Sequence, residues 1–427
     1  MQKIKKLVRS LLPAELLRAV EKIYRKSRGL LWQARYGFPA RGMHVIAVTG
    51  TNGKTTTISY INEILKAAGY KTAVLNTVFY EVAGKKTPNT THFTVDKQSI
   101  VQSFFARAKR AKVDYVILEV TSHALDQDRI MGVKVDIALI TNLTQDHLDY
   151  HKTMKNYARA KSLLLRNYGA KYGLLNADDE WFEYFRGRSS AKVVPYGKAQ
   201  NAKIKITEIK LNGSGASARL TYGGQKLDIA TRLPGEFNVY NASAAVGVGF
   251  LLEIKPEDIK KGIYSLAELS GRMEEISARQ DFRVFVDFAI TPDAIEKALT
   301  ALKKISKGKV RVVFGATGDR DREKRPDMGR VAAKLADAIY LTDDETYTED
   351  PQKIREAVMS GIRGAKGAGK TKVIPDRKEA MKQAFMDAGK DDSVLITGLG
   401  HEDSRNMGGR LVPWSDQKVA RELLKNI

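Results

Sequence analysis

One short run of residues, Gly50-Thr51-Asn52-Gly53-Lys54-Thr55-Thr56, has the composition needed to bind phosphate groups. It follows the apolar run His44–Val48 and precedes a helical pattern from about Thr55 to Ala68. Backbone N–H groups of such a loop, with the positive end of the following helix, bind phosphate oxygens. Lys54 can reach the β- and γ-phosphates, and a threonine hydroxyl can hold Mg²⁺. The order of strand, phosphate loop and helix therefore predicts ATP binding, although Val48 replaces the first glycine of the common motif.

Two further polar groups follow predicted strands. Glu119 lies at the carboxyl end of the apolar run Tyr115–Val120, and Thr141–His151 holds two acids and two histidines within six residues. Ligands bind at the carboxyl ends of strands in open α/β sheets, so Glu119 is a candidate Mg²⁺ ligand. The histidine segment has the composition of a metal site, and Lys161 lies on a helical pattern after it. Alone these signals are weak, because solvated charges at strand ends and on helices are common.

Strands alternate with helices through most of the chain, which is typical of a parallel sheet covered on both faces. Residues 200–232 differ, since their alternating pattern and glycine turns indicate antiparallel hairpins. A second α/β unit begins near Gly271. We therefore expect an α/β fold: a central P-loop ATPase-type, mostly parallel sheet with an antiparallel insertion, and a C-terminal Rossmann-like domain. The expected domains are residues 1–42, 43–270 and 271–427.

Composition narrows the function classes. The 427 residues contain no cysteine, which excludes thiol catalysis and cysteine-bound zinc. A formal charge of +23 favours anionic partners such as nucleotides or a membrane surface. No RNA-binding motif or zinc finger is visible, so we expect no specific nucleic-acid partner. No apolar run reaches the roughly 18 to 20 residues of a membrane helix.

Residues 1–42 carry eleven Lys or Arg and two acids. Their apolar residues recur at helical spacing, namely Leu7, Leu11, Leu12, Leu16, Val20 and Ile23. The segment predicts a basic amphipathic helix. Two interpretations stay open: contact with an anionic membrane, or packing on the body of the protein.

Seven blocks occur together and in order, and with them the chain resembles the Mur ligases of cell-wall peptide synthesis, most closely the MurE branch. The resemblance extends from about residue 43 to the end. The blocks are Gly50–Thr56, Glu119–Arg129, Thr141–His151 with Lys161, Leu233–Ala245, Gly271–Glu274, Gly318–Pro326 and Gly398–Asp403.

The resemblance implies an ATP-dependent amide ligase that adds an amino acid to UDP-N-acetylmuramoyl-L-Ala-D-Glu through an acyl phosphate. Lys54, Glu119, His147 and Lys161 match catalytic positions. Mg²⁺ would be held by Thr55 and Glu119 at one site, and by His147 and a carbamylated Lys161 at another. Nucleotide contacts beyond the loop match Asn238, Asn241, Arg272 and Asp287.

The resemblance also implies two substrate regions. Contacts to the UDP-muramoyl-peptide match Thr90, Thr91, Thr121, Gln127 and Arg129. Positions around the incoming amino acid match Arg320, Asp344, Glu345, Tyr347, Gly398 and Glu402. We expect a cytoplasmic monomer, with residues 1–42 as a candidate peripheral contact to the inner membrane face.

Three departures bear on the substrates. Only 42 residues precede the first strand, where the family has a larger UDP-binding domain. The family's Asp-Asn-Pro-Arg motif is Asp344-Glu345-Thr346-Tyr347, and losing the arginine favours lysine or another diamine over diaminopimelate. The branch's Tyr-Ala-His-Thr-Pro reads Phe288-Ala289-Ile290-Thr291-Pro292, which loses a polar ring near ATP, and its Gly-Lys-Gly-His-Glu has Leu399 in place of the lysine.

Two alternatives remain. The first is that the chain is a ligase acting on a non-UDP acceptor, such as a polyglutamate, folate-like or lipid-linked chain. The second is that it is a non-catalytic ATP-binding partner subunit. The short N-terminal segment favours the first. The intact Lys54, Glu119, His147 and Lys161 argue against the second.

Overall fold

The protein contains two large β-sheets. The computed structural model describes residues 14–89, 94–95 and 97–426. The eleven strands of the first sheet are β1 (His44–Thr49), β2 (Thr72–Leu75), β3 (Phe79–Val82), β4 (Lys85–Pro88), β5 (Tyr115–Glu119), β6 (Ile137–Ile140), β7 (Tyr172–Asn176), β8 (Lys192–Gly197), β9 (Ile204–Asn212), β10 (Gly215–Tyr222) and β11 (Gln225–Thr231). Their spatial order is β11-β10-β9-β8-β7-β6-β1-β5-β2-β3-β4.

The middle of this sheet is parallel, from β9 to β2, with antiparallel pairs at both edges. Its central strands are buried apolar runs such as Val45–Val48, because helices cover both faces. One face carries α2 (Lys54–Ala67), α8 (Glu236–Leu251) and α9 (Pro256–Ser265). The other carries α3 (Gln98–Arg110), α4 (Ser122–Asp126), α6 (Met154–Asn167) and α7 (Phe182–Arg186). The one-turn helix α5 (Leu148–His151) precedes α6.

The second sheet has six strands in the order β12-β13-β17-β14-β15-β16. They are β12 (Glu274–Ile276), β13 (Arg283–Asp287), β14 (Val310–Phe314), β15 (Ala338–Leu341), β16 (Thr371–Val373) and β17 (Ser393–Thr397). All pairs except β12 with β13 are parallel. Helices α10 (Pro292–Ile305), α11 (Lys324–Leu335) and α12 (Pro351–Gly364) cover one face, and α13 (Arg377–Met386) and α14 (Asp416–Leu424) cover the other. A hairpin, β18 (Ser404–Met407) and β19 (Arg410–Pro413), follows β17.

The predicted fold class is confirmed, with one change of detail. Residues 200–232 do form antiparallel strands, but these continue the main sheet, because β9 pairs in parallel with β8. The β3–β4 hairpin at the other edge was not predicted. The division at residues 43 and 271 stays a proposed one.

Helix α1 (Ala14–Arg35) lies within the segment expected to be a basic amphipathic helix. The part of that prediction on residues 1–13 falls outside the described residues, as do Thr90 and Thr91. No helix in the described ranges combines the length and apolar character that crossing a bilayer requires.

Candidate active site

A cleft of 740 Å³ lies where the carboxyl ends of the two sheets face each other. Its walls carry Lys54, Glu119 and His147 from the first sheet's side and Arg272 and Tyr347 from the second's. In open α/β sheets the carboxyl ends of the strands are the usual place for ligands. The two α/β units therefore form one site.

The phosphate loop connects β1 to α2, which begins at Lys54. Gly53 has φ +83, and a Cβ there would collide with the amide of Asn241, so glycine is required for both reasons. Asn238 and Asn241 are buried on α8, where the Asn241 Nδ2 donates to the Asn238 Oδ1 at 3.1 Å. Both line the cleft, as expected for residues near a nucleotide.

Two lysines share one carbonyl of this loop, the partly buried Lys54 and the buried Lys161. The Gly50 oxygen accepts from the Lys54 Nζ at 3.1 Å and from the Lys161 Nζ at 2.7 Å. Burial, and then the nearby Lys54, holds the pKa of Lys161 well below its usual value. Burial also lowers the pKa of Lys54. Two cations this close favour anions between them, either phosphate or a modified lysine.

Glu119 is held rigidly beside the loop and is 2% exposed. Its Oε2 accepts from the Thr55 Oγ1 at 2.8 Å and its Oε1 from the Thr77 Oγ1 at 2.9 Å. A carboxylate and a hydroxyl oxygen are ligands that suit Mg²⁺, which usually completes its shell with water and substrate phosphates. Among the described residues no three His, Asp or Glu side chains converge as a metal site on their own. The Thr55–Glu119 pair therefore fits a Mg²⁺ ion that a nucleotide brings with it.

Histidines and tyrosines cluster beside Glu119. The rings of His123 and His147 lie 4.8 Å apart, and His151 lies 5.4 Å from His123. Burial lowers the pKa of His147 to about 3 and that of His123 and His151 to about 4. These imidazoles are thus neutral near pH 7, which is the form that binds metals. His147 has φ +56, a left-handed conformation that turns the chain into α5.

Asp146, next to His147, forms a buried ion pair with Lys324 of α11, 2.9 Å between Oδ1 and Nζ. Burial opposes ionisation of Asp146, but His147 and Lys324 outweigh it and hold its pKa well below its usual value. Because His147 is itself neutral, the lasting cation is Lys324. The pair joins the two α/β units across the cleft.

Further contacts close the second unit over the loop. The Arg272 Nη2 lies 3.4 Å from the Thr55 Oγ1, and its guanidinium lies over the Phe288 ring at 4.7 Å. The Asn52 Nδ2 donates to the Asp293 Oδ2 at 2.8 Å. Asp287 lies near Arg272, and burial raises its pKa to about 6.

Sequence reasoning missed three of these side chains, Thr77, Asp293 and Lys324. Asp293 had a local signal, because Thr291-Pro292 is a typical helix start and Asp is favoured in the first turn. Thr77 and Lys324 had none, since each matters only through a partner far away in sequence.

Of the residues expected to contact the UDP-muramoyl-peptide, Thr121 and Arg129 line the cleft. We call this part of the cleft the acceptor end. Thr121 caps α4 through its Oγ1, which accepts from the Ala124 N at 3.2 Å. Gln127 is not among the lining residues. Its Oε1 accepts from Arg129 at 2.8 and 3.1 Å, so it orients that arginine.

The residues expected around the incoming amino acid are brought together at the cleft with one exception. Those lining the cleft are Arg320, Glu345, Tyr347, Gly398 and Glu402. The Arg320 guanidinium lies over the Tyr347 ring at 5.4 Å.

Asp344 is the exception, and its expected contact with the amino acid is not met. Its side chain is 2% exposed and lies against Gly398 instead of lining the cleft. Burial raises its pKa, against the lowering effect of Arg377. Of the three acidic side chains expected near the amino acid, Glu345 and Glu402 line the cleft and Asp344 does not.

Comparison with known families and proteins agrees with this architecture. The Mur ligase middle domain model matches residues 48–249, and the glutamate ligase domain model of Mur ligases matches residues 271–400. The UDP-N-acetylmuramoyl-L-alanyl-D-glutamate--2,6-diaminopimelate ligase of Geobacillus kaustophilus is 37% identical over 94% of this chain and 83% of its own length. The ligase of the same name from Aquifex aeolicus is 38% identical, over 94% and 81%.

Solved structures share the fold. A UDP-N-acetylmuramoyl-L-alanyl-D-glutamate--2,6-diaminopimelate ligase structure is 31% identical with a TM-score of 0.62, covering 91% of this chain and 79% of that one. The folylpolyglutamate synthase of Mycobacterium tuberculosis has a TM-score of 0.71 over 87% of this chain and 92% of its own. At 18% identity the second likeness concerns the fold alone.

Proposed function

The chain belongs to the Mur ligase family of ATP-dependent ligases, and we propose that it adds one amino acid to UDP-N-acetylmuramoyl-L-Ala-D-Glu in peptidoglycan precursor synthesis. The observation that carries the proposal is a single cleft in which the phosphate loop, Glu119 and the acceptor-side Arg129 meet residues of the second unit. The relatives with this printed activity match nearly the whole chain.

The reaction has two steps. An oxygen of the acceptor's carboxylate attacks the γ-phosphorus of ATP, ADP leaves, and an acyl phosphate forms. The neutral amine of the incoming amino acid then attacks the acyl carbon, phosphate leaves, and the amine loses a proton. In both steps negative charge develops on or around the transferred phosphoryl group. Lys54 and Arg272 lie where they can offset this charge.

Mg²⁺ supplies further charge neutralisation between the phosphates when bound. Thr55 and Glu119 would hold one ion, and His147 with a carbamylated Lys161 a second. A lowered pKa supports carbamylation, because only the neutral amine of Lys161 reacts with CO₂. The product carries a negative charge beside Lys54 and so forms an ion pair with it.

Lysine or a similar diamine is our proposed amino acid. Tyr347 occupies the cleft wall where the branch has an arginine, so the cation that pairs with a distal carboxylate is absent at that position. The carboxylates of Glu345 and Glu402 line the same end, which suits a distal ammonium group. Arg320 is available there for the amino acid's own carboxylate.

A phosphate-release assay with UDP-N-acetylmuramoyl-L-Ala-D-Glu, ATP and Mg²⁺ tests this, with lysine, ornithine, diaminopimelate and alanine compared at equal concentration. We expect the highest kcat/KM for a diamine with one carboxylate. Lys54→Met should lower phosphate release at least about 100-fold, as loss of a transition-state donor does. Tyr347→Arg should shift the preference towards diaminopimelate.

Two results would count against the proposal. A higher kcat/KM for diaminopimelate than for lysine would reject the diamine preference but keep the acceptor. No turnover with this acceptor and any amino acid, together with intact ATP binding, would reject the acceptor and turn attention to a non-UDP chain or a non-catalytic role.

A further inference from the structure

Helix α1 presents a row of large apolar side chains to solvent. Six of them are between 44% and 69% exposed, namely Leu16, Val20, Ile23, Tyr24, Leu30 and Leu31. At the 3.6-residue period of a helix these positions fall on one face. A contiguous exposed apolar face is unusual in a protein that works alone in water, and it marks a surface for a partner or a membrane.

The opposite face of α1 fixes the helix to the body. Gly29 and Gln33 are buried there, and Gly29 packs against Gln98 and Met131. The Gln98 Nε2 also donates to the backbone oxygen of Arg25 at 3.1 Å. The apolar row is therefore not needed for docking α1 on the protein, and no described residue covers it.

Basic side chains flank the apolar row. Lys26 is exposed along one side of it, and Arg35 is exposed along the other side. An apolar strip between cationic borders is the pattern of helices that lie in the plane of a membrane surface, where anionic lipids attract the cations. The whole chain carries +23, so a second copy would be repelled and an anionic surface attracted.

We propose that the exposed face of α1 lies on an anionic membrane surface, with the apolar row in the interface and the flanking Lys26 and Arg35 at the lipid headgroups. The helix lies on the membrane and does not cross it.

Contacts of α1 also determine which part of the cleft would face the membrane. The Arg25 Nη1 donates to the backbone carbonyl oxygen of Asp126 at 3.5 Å, and the Gln98 Nε2, which also bonds to α1, donates to that of Asp128 at 3.0 Å. Asp126 and Asp128 belong to the segment that carries Thr121 and Arg129. Given the proposed function, the acceptor end of the cleft would then lie beside the lipid surface.

Vesicle flotation with the full chain tests the proposal. We expect binding to vesicles that contain phosphatidylglycerol, weaker binding as salt increases, and little binding to phosphatidylcholine alone. Ile23→Glu/Leu31→Glu should weaken binding about tenfold or more, which corresponds to about 1.4 kcal/mol. Lys26→Gln/Arg35→Gln should weaken it mainly at low salt.

Met386→Glu is the matched control, because Met386 is 63% exposed on α13, away from α1. It should bind vesicles like the parent chain. Thermal melting of each variant checks that folding is intact, since all the changed side chains are exposed. Phosphate release with the soluble acceptor is measured in parallel, so that loss of membrane binding is distinguished from failure of the proposed reaction.

Equal flotation of Ile23→Glu/Leu31→Glu and the parent would overturn the proposal, as would no binding to anionic vesicles at low salt. Dimerisation of the parent that this variant abolishes, without vesicle binding, would assign the face to a second copy instead.

Discussion

Two buried lysines near the active site, Lys161 behind the phosphate loop and Lys324 in the cleft wall, should respond oppositely to the same substitution. Lys161 is 1% exposed and Lys324 is 3% exposed. Lys324 has a carboxylate partner, Asp146, at 2.9 Å. Lys161 instead donates to the Gly50 carbonyl and lies close to another cation, Lys54. Replacing each lysine by methionine keeps the length of the side chain and removes the charge.

The magnitude for Lys161 follows from its geometry. Because both ammonium nitrogens donate to the Gly50 oxygen, Lys54 and Lys161 lie within about 6 Å of each other, which gives a repulsion on the order of 3 kcal/mol at an effective dielectric constant of about 20. Lys161→Met relieves it. The variant loses a hydrogen bond worth about 1 kcal/mol and a contact of the Nζ with the Tyr157 ring worth about 1 kcal/mol. The Gly50 oxygen still accepts from Lys54.

We therefore expect the free energy of unfolding of Lys161→Met to be unchanged or raised by up to about 2 kcal/mol. Lys324→Met leaves the Asp146 carboxylate buried and unpaired, so it should lower that free energy by about 3 to 5 kcal/mol. Both variants should lose phosphate release. The expected difference in unfolding free energy between the two variants is thus independent of their activity, since both are expected to be inactive.

Urea denaturation in bicarbonate-free buffer at pH 7, followed by tryptophan fluorescence, measures both values. Added bicarbonate should stabilise the parent chain, through carbamylation of Lys161, and leave Lys161→Met unchanged. A loss of more than about 2 kcal/mol in Lys161→Met would refute the reasoning, since it would mean that the lysine has a stabilising anionic partner. Full activity of Lys161→Met would refute its catalytic role.

Two more predictions concern backbone and pH. Gly53→Ala should destabilise the protein by about 1 to 3 kcal/mol and weaken nucleotide binding, because its φ of +83 and the nearby Asn241 both exclude a Cβ. Gly69→Ala is the control, since Gly69 has φ +84 in open space and its substitution causes only backbone strain. An equal loss of melting temperature in both variants would refute the clash with Asn241. Stability should fall as pH drops from 6.5 towards 4, because the clustered histidines have lowered pKa values and the unfolded chain binds more protons there. Urea midpoints that stay constant over this range would contradict the lowered pKa values of His123, His147 and His151.

Local patterns in the sequence determined much of this protein. The phosphate loop, the buried strands and the helix after the loop could be predicted because each depends on neighbouring residues: apolar runs form buried strands, and glycine allows the left-handed φ at Gly53. The seven sequence blocks, occurring together and in order, were enough to indicate the family.

Tertiary structure decided which side chains face the cleft. Asp344 and Glu345 are neighbours in the loop after β15, yet Asp344 lies buried against Gly398 and Glu345 lines the cleft. No local pattern distinguishes them. The pairing of Asp146 with Lys324, 178 residues apart, likewise depends on how the two units pack. The packing of the two units determines which ion pairs form between them and which side chains line the cleft. The chemistry of single motifs was therefore predictable from the sequence, and the residues that each motif contacts in the other unit were not.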